Sequence, residues 1–526
     1  MKGKGQVLPS LVDASGAPLR RSAEMYRAGS AFSRELREWQ PFPGSADSDL
    51  LQGLPLIMAR TRDIAQNHGF ASGAMQTHLD NVIGGNLRLS AKPEWRVLGQ
   101  SPEWADEWGR EVEAKFRLWA YDPRKFCDAA RKCSLPGLFG LAYRSQFMNG
   151  AALALPQWIE HRGAPYATAI QLLEPDRLSN PLGQPDSDVM RGGVEIDEFG
   201  AAVAYHIRSR HPGDIFASAM GQSPFTWVRV PRETAWGRAQ CIHAFDVERV
   251  EQTRGKPQMT AILEHLKMLT RYEAAELQAT IVNAMFAAFI ESPFDASLLG
   301  EALGAEDFMT YQNARADFHT ERGLKMDGVK IPQLFPGEKF TFTTPTRPNT
   351  GFDAFTAAAL RNIAAGTGLT YEQLSRDYSK TNYSSARAAL LESWKFFRGK
   401  RQQFGFDFCT PTYALWLEEA VDKGEVTLPP GAPDFWEAYP AYTACKWIGP
   451  SMGWIDPMKE ADAVARRLEL NITTMEAECA AQGEDFDDVL QQRARELRRM
   501  RGLGLAPAGP AVPGATYASD AELAAK

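Results

Sequence analysis

Ala71, Met75, Leu79 and Ile83 recur every four residues in RTRDIAQNHGFASGAMQTHLDNVIGG, and Gly84-Gly85 follow at once. Apolar positions one helical turn apart, closed by a glycine pair, predict a packed helix and its stop. Trp104, Trp108, Val112, Phe116 and Trp119 keep the same period at spacings of four, four, four and three. Their aromatic stripe predicts an amphipathic helix facing the core or another subunit. From about residue 151 to 246 the period changes: Val203, Tyr205 and Ile207 alternate in AAVAYHIRS, between the turn-forming runs NPLGQPDSD and RHPGD. This block is predicted to be β-rich.

The longest helical pattern runs from about Gln258 to Glu291, with Pro257 placed for the first turn and Pro293 just beyond the end. At about 1.5 Å per residue it would reach about 50 Å, which suits a spar in an assembly. LFPGEKFTFTTPTRPNTGF then predicts a turn at Pro336-Gly337, a short strand with Phe340 and Phe342 on one face, and a Pro/Thr/Asn loop. Phe352, Phe355, Leu360 and Ile363 line one side of the next helix, which stops at Gly366 and Gly368. Helical patterns continue to Arg501, broken at PPGAP and GPSMGW, and no internal repeat is visible. The expected class is α+β, helix-rich toward the C-terminal side. Residues 1–24 read as a flexible arm and 502–526, rich in Ala, Pro and Gly, as a disordered tail.

With 526 residues the chain exceeds what one core serves, so several sub-domains around large cores are expected. No apolar run approaches a membrane span, and the start MKGKGQVLPSLVDASGAPLR lacks the apolar stretch of a secretory leader. The expected setting is soluble and cytoplasmic. The six cysteines are scattered, without a C-x-x-C pair or companion histidines, and read as reduced structural thiols. A net charge of −7 argues against tight nucleic-acid binding through a basic face, although a protein that lets DNA slide past could be acidic.

Chemical motifs are sparse. There is no G-x-x-x-x-G-K-[ST], so no nucleotide-driven motor is encoded, and H-E-x-x-H and G-x-S-x-G are absent as well. GLGLAPAG, from Gly502, has no strand before it and carries no weight as a dinucleotide fingerprint. His243 reads as a strand histidine, and Asp485, Asp487 and Asp488 as a solvated helix start. In SRDYSKTNYSSARAALLES, Ser384 or Ser385 suits a helix cap, while Asp377 and Asn382 suit tight turns. Tyr378 and Tyr383 offer the flat amphipathic surfaces that subunit interfaces favour. A nucleophile at Ser384 would need a base that no segment nominates.

LRNIAAGTGLTYEQLSRDYSKTNYSSARAALLES resembles the signature region of the lambda-like family of phage portal proteins. ARTRDIAQNHGFASGAMQTHLDNVIGGNLRL, LLEPDRLSNP, HAFDVERVEQTRGKP, LFPGEKFTF, PTYALWLEEAV and DPMKE agree with it in order, so the likeness covers about residues 25 to 500. One departure is MNGAALALPQWI, where Ala151 stands in place of a glutamate more usual in the family. The resemblance implies a portal fold of wing, stem, clip and crown. In chain order the wing would be 25–256, a stem helix 257–291, the clip with a second stem helix (AEDFMTYQNARADFHTE) 292–335, a strand and tunnel loop 336–351, a wing helix and its followers 352–445, and crown helices 446–501.

It also implies a non-enzymatic dodecameric ring at a capsid vertex, without cofactor or metal and without membrane contact, through which double-stranded DNA enters and leaves. The implied partners are the terminase large subunit, major capsid and scaffolding proteins, head-tail connector proteins and, non-specifically, the DNA. The implied location is the virion, with assembly in the host cytoplasm. Arg347 and Asn349 would tip the tunnel loop Thr344 to Gly351 near the DNA, and Tyr378 and Tyr383 would lie between subunits. The competing readings are a serine hydrolase using the loop 382–387 and a DNA-binding structural protein of another type.

Overall fold

The computed structural model of the chain describes residues 38–214, 226–285, 289–291, 296–321, 324–326, 329–331, 339–341, 351–379, 381–453 and 456–505, with Ala28 and Leu36. The arm 1–24, the tail beyond Leu505 and the turn at Pro336-Gly337 lie outside these residues, as do Phe342, Arg347 and Asn349.

Helices α1 (Ala46–Leu50), α2 (Leu54–Asn67) and α3 (Gly69–Val82) come first, and α3 ends where Gly84 takes a left-handed φ of +66°. Strand β1 (Arg88–Ala91) leads to α4 (Pro102–Ala120), whose N-cap Ser101 accepts from the Trp104 amide at 3.2 Å. Trp108, Val112, Phe116 and Trp119 are all buried within this one chain. Trp104, at the start of the stripe, is half-buried against the same core, so the stripe faces the interior of this chain for most of its length.

Helix α5 (Leu135–Asn149) ends at Gly150, φ +85°, and runs into β2 (Ala151–Trp158). A Cβ on Gly150 would collide with the Gly255 and Lys256 backbone, so the two chain segments touch main chain to main chain. Strands β3 (Thr168–Leu173), β4 (Met190–Arg191), β5 (Val194–Ile196), β6 (Ala202–Arg208), β7 (Trp227–Pro231) and β8 (Ile242–Phe245) complete the predicted β-rich block. They form two antiparallel sheets, ordered β3-β2-β8 and β4-β5-β6-β7. Tyr205 and Ile207 face a small core with Leu153, Leu173 and Val194, but Val203 is exposed. The register slips at a bulge: Glu195 pairs with Ala204 and Ile196 with Ala202, so Val203 is the residue left over and turns outward.

The predicted spar is shorter than its pattern. After a 3₁₀ turn at Thr260–Ile262, helix α6 spans Leu263–Met285, 23 residues and about 34 Å, and Phe289–Glu291 form a strand, β9. Helix α7 (Ala296–Glu321) is broken by non-helical Gly304, so its second segment coincides with the predicted AEDFMTYQNARADFHTE helix. A hairpin, β10 (Leu324–Met326) and β11 (Val329–Ile331), follows. Strand β12 (Lys339–Thr341) then pairs Phe340 with Ile290 of β9. That pairing across about fifty residues turns the apolar end of the helical pattern into a strand.

Helices α8 (Phe352–Thr367), α9 (Tyr371–Ser375) and α10 (Tyr383–Phe404) precede a π-helical turn at Gly405–Cys409 and α11 (Thr410–Asp422). On α8, Leu360 and Ile363 are buried, while Phe352 and Phe355 meet Tyr272 of α6 at ring distances of 5.6 and 4.6 Å. Gly366 is small because Ile262 lies where its Cβ would be. The short α12 (Tyr439–Tyr442) leads to β13 (Cys445–Ile448), which pairs antiparallel with β1. Helices α13 (Pro457–Glu469), α14 (Met475–Ala481) and α15 (Phe486–Gly502) follow, with Asp485 capping α15 as the acidic cluster predicted. The main core collects α3, α4, α5, α8, α10 and α11 around fully buried Trp416, Tyr413, Phe139, Phe397, Phe404 and Phe408. The class is α+β, as expected. The cysteines are unpaired, and burial pushes the Cys127 and Cys241 thiols up to about 12.

Glu113 on α4 accepts the Ala91 amide at 2.7 Å. Burial, followed by the charge of Asp485 and against the Ala91 hydrogen bond, pushes its carboxyl up to about 7. A carboxyl raised on folding keeps its proton in the native state after the unfolded chain has lost it, so stability falls as pH rises from about 4.5 to about 7. Glu113→Gln keeps an acceptor without the charge. Denaturant titrations at pH 5 and pH 8 should show it gaining on the wild type at the higher pH only, and an equal effect at both would contradict the assignment.

Candidate functional site

The polar segment from Thr370 to Arg387 is built from reciprocal caps. The Gln373 amide donates to Thr370 Oγ1 at 3.2 Å and the Thr370 amide to Gln373 Oε1 at 3.1 Å, a capping box that starts α9. Arg376 ends that helix at φ +59°, and its guanidinium donates to Thr77 Oγ1 on α3 at 3.1 Å. Asp377 accepts the Ser379 amide at 2.9 Å, the turn its side chain predicted. Asn382, rather than Ser384 or Ser385, caps α10 by accepting the Ser385 amide at 2.9 Å. Asparagine competes well for that position, and the Ser385 hydroxyl, inside the first turn, donates back to the Asn382 carbonyl at 3.0 Å.

Tyr378 and Tyr383 flank this cap, 52% and 49% exposed. Arg387 reaches the Tyr383 hydroxyl at 3.5 Å and Glu460 of α13 at 3.7 Å. The surface is polar and aromatic. Below it, His78 of α3 joins the Thr367 carbonyl at 2.8 Å and the Tyr143 hydroxyl at 3.3 Å. Burial, opposed by the Thr367 bond, lowers His78 to about 4, so it is a neutral strut.

A second polar focus holds the β-rich block to the helices. Arg254, from the TRGKP motif, is 3% exposed and donates to the carbonyls of Leu178 at 2.8 Å, Gly192 at 2.6 Å and Pro175 at 3.0 Å. Burial pulls it down to about 10, with Asp176, Asp186 and Asp47 acting the other way, so it stays cationic at neutral pH. Asp47 of α1 accepts the Thr253 amide at 2.8 Å and its hydroxyl at 2.6 Å. Composition and spacing gave no sign of this clamp, because its partners are main-chain carbonyls far along the chain.

Glu419 of α11 similarly accepts the amides of Ala167 at 2.6 Å and Thr168 at 2.8 Å and pairs with Lys423 at 2.6 Å. Burial alone would raise its carboxyl, but these bonds hold it below the usual range. His243 lies on β8 between the rings of Tyr205 and Phe245, lowered by burial and then by Arg254 to about 3. Glu174, Asp176 and His211 converge, yet Asp176 already pairs with Arg62 and His211 lies 3.1 Å from Glu174. They form a mixed-charge surface network.

The model of the family described as phage portal protein, lambda family, matches residues 32–401. Portal protein B of Escherichia phage lambda is 35% identical over 526 residues, covering 98% of this chain and 97% of that protein. The portal protein of Escherichia phage N15 is 34% identical over 509 residues, covering 95% of each. Among solved structures, a chain from the neck of a native gene transfer agent particle computed with C12 symmetry has 12% identity and a TM-score of 0.45, over 83% of this chain and 99% of that one.

Proposed function

The chain belongs to the lambda family of phage portal proteins, and we propose that it forms a dodecameric ring at the capsid vertex through which double-stranded DNA is packaged and ejected. The observation that carries this reading is the match to the lambda and N15 portal proteins over nearly the whole of both partners. The ring assembles in the host cytoplasm and remains in the virion. It offers docking surfaces to the terminase large subunit, to capsid and scaffolding proteins and to head-tail connector proteins. Its role is structural, and the work of translocation falls to the docked motor. The net charge of −7 fits a conduit, since each phosphate neutralised by the wall would add affinity and slow sliding.

In this reading residues 25–256 and 352–445 supply the wing, 257–291 the stem helix, 292–335 the clip with the second stem helix, and 446–501 the crown. The loop 344–351 reaches toward the DNA with Arg347 and Asn349 at its tip, restrained by Pro345 and Pro348. Tyr378 and Tyr383 pack against the neighbouring subunit. Two variants with opposite expectations test these placements. Arg347→Glu should form rings normally, since an exposed loop charge contributes little to folding, yet give fewer DNA-filled capsids. Tyr378→Ser with Tyr383→Ser should weaken ring formation itself. Normal filled-capsid yield in the first variant, or normal rings in the second, would remove the corresponding assignment.

A further inference from the structure

Helix α15 reverses the sign of the protein locally. Its start is acidic, with Asp485, Asp487 and Asp488, whereas from Arg493 to Arg501 it carries Arg493, Arg495, Arg498, Arg499 and Arg501 against the single acid Glu496. All five arginines are exposed. Glu496 is taken by Arg493 at 3.6 Å and by Gln492 at 3.0 Å, and Asp488 by Arg117 at 3.3 Å. Among the described residues no carboxylate comes within ion-pair distance of Arg495, Arg498, Arg499 or Arg501. The chain beyond the helix adds Asp520 and Glu522 against Lys526, too little to neutralise them.

Position on the helix matters as much as count. Arg495, Arg498 and Arg499 stand at i, i+3 and i+4 and share one face, with Gln491 one turn earlier. Phe486, Leu490, Leu497 and Met500 run along the opposite side. The helix dipole rewards cations in the last turn, which accounts for Arg499 and Arg501 but not for Arg495, a turn earlier. From Arg495 to Arg501 the helix advances about 9 Å, over which a DNA duplex presents about five phosphate charges.

We infer that the arginine face of α15, centred on Arg495, Arg498 and Arg499, is a non-specific contact for the phosphate backbone of double-stranded DNA. Charge complementarity to a polyanion selects this occupant: four guanidiniums without an ion pair among the described residues, on a net-acidic chain, match a continuous anion better than an ordinary mixed-charge protein surface. The contact rests on the portal reading, because that reading brings DNA to the protein. It is a holding contact outside the tunnel loop, weak for one subunit and multiplied where copies stand side by side.

Fluorescence anisotropy of a labelled duplex of arbitrary sequence, titrated with the full-length protein at about 50 mM and about 200 mM salt, reads it directly. Wild type should bind at low salt and lose about tenfold or more at high salt. Arg495→Gln/Arg498→Gln/Arg499→Gln should bind at least about tenfold more weakly at low salt, with a shallower salt dependence, while the matching triple lysine variant retains binding. Unchanged binding by the glutamine variant, or no binding by the wild type at low salt, overturns the inference. Loss of rings in the glutamine variant alone also overturns it, making the arginines a contact to an acidic face of another copy. Wild-type rings that ignore DNA would sink this contact and leave the portal reading standing, whereas a wild type without rings would count against the portal reading itself.

Discussion

Arg254→Ala is expected to cost the isolated subunit about 3 to 5 kcal/mol, enough to consume a large share of a typical domain's stability. The guanidinium is the donor that the buried carbonyl of Leu178 and the half-buried carbonyl of Gly192 share, and it also reaches Pro175, whose carbonyl keeps the Leu178 amide. Removing it leaves polar atoms buried without water and opens space beside the Gly192 main chain, against which the Arg254 stem lies. Lysine would restore charge and part of the stem, but one ammonium cannot span three carbonyls as a planar fork does, so Arg254→Lys should recover only part of the loss. Urea titration of the three proteins gives the order wild type, lysine, alanine. A loss below about 1 kcal/mol for alanine would show that water replaces the clamp.

Trp416→Ala should cost about 3 to 5 kcal/mol, by a different cause. Trp416 is fully buried at the centre of α11, with Phe116 at 5.2 Å, Tyr166 at 5.5 Å, and Trp119 and Tyr413 each at 6.4 Å between ring centroids. These rings join α4 to α11 and both to the segment before β3, so the cavity cannot collapse without moving three elements. Trp416→Phe keeps an aromatic face against Phe116 and Tyr166 and gives up only the indole contact with Tyr166. It should cost less than half as much, and equal losses for the two variants would assign the cost to something other than ring packing.

Local signals were legible wherever neighbours in sequence decide the structure. The four-residue spacing of Ala71 to Ile83, the α4 stripe and the Asp485 cap all appear where their patterns place them. All but one of the misses are long-range. Phe289 to Glu291 leave the helical pattern because Lys339 to Thr341 pair with them, and Val203 turns outward because β5 and β6 slip by one residue. Asn382 takes the cap from the serines by competition at a single position. The Arg254 clamp depends on carbonyls from residues 175 to 192, which no periodicity can announce.

The candidate site was legible in a narrower sense. Collinear motifs from ARTRDIAQ to DPMKE identify the family, but Arg347 and Asn349 lie outside the described residues. The exposed tyrosines at 378 and 383 acquire a role only if a second copy covers them. The arginine face of α15 was hidden by the net charge, because an average over 526 residues conceals a reversal confined to nine.

Negative-stain electron microscopy of the purified full-length protein tests the central claim most directly. A portal subunit should appear as closed rings with a central hole, viewed end-on, in a single size class. Compact particles of one subunit's size, persisting as the concentration is raised, would contradict the account.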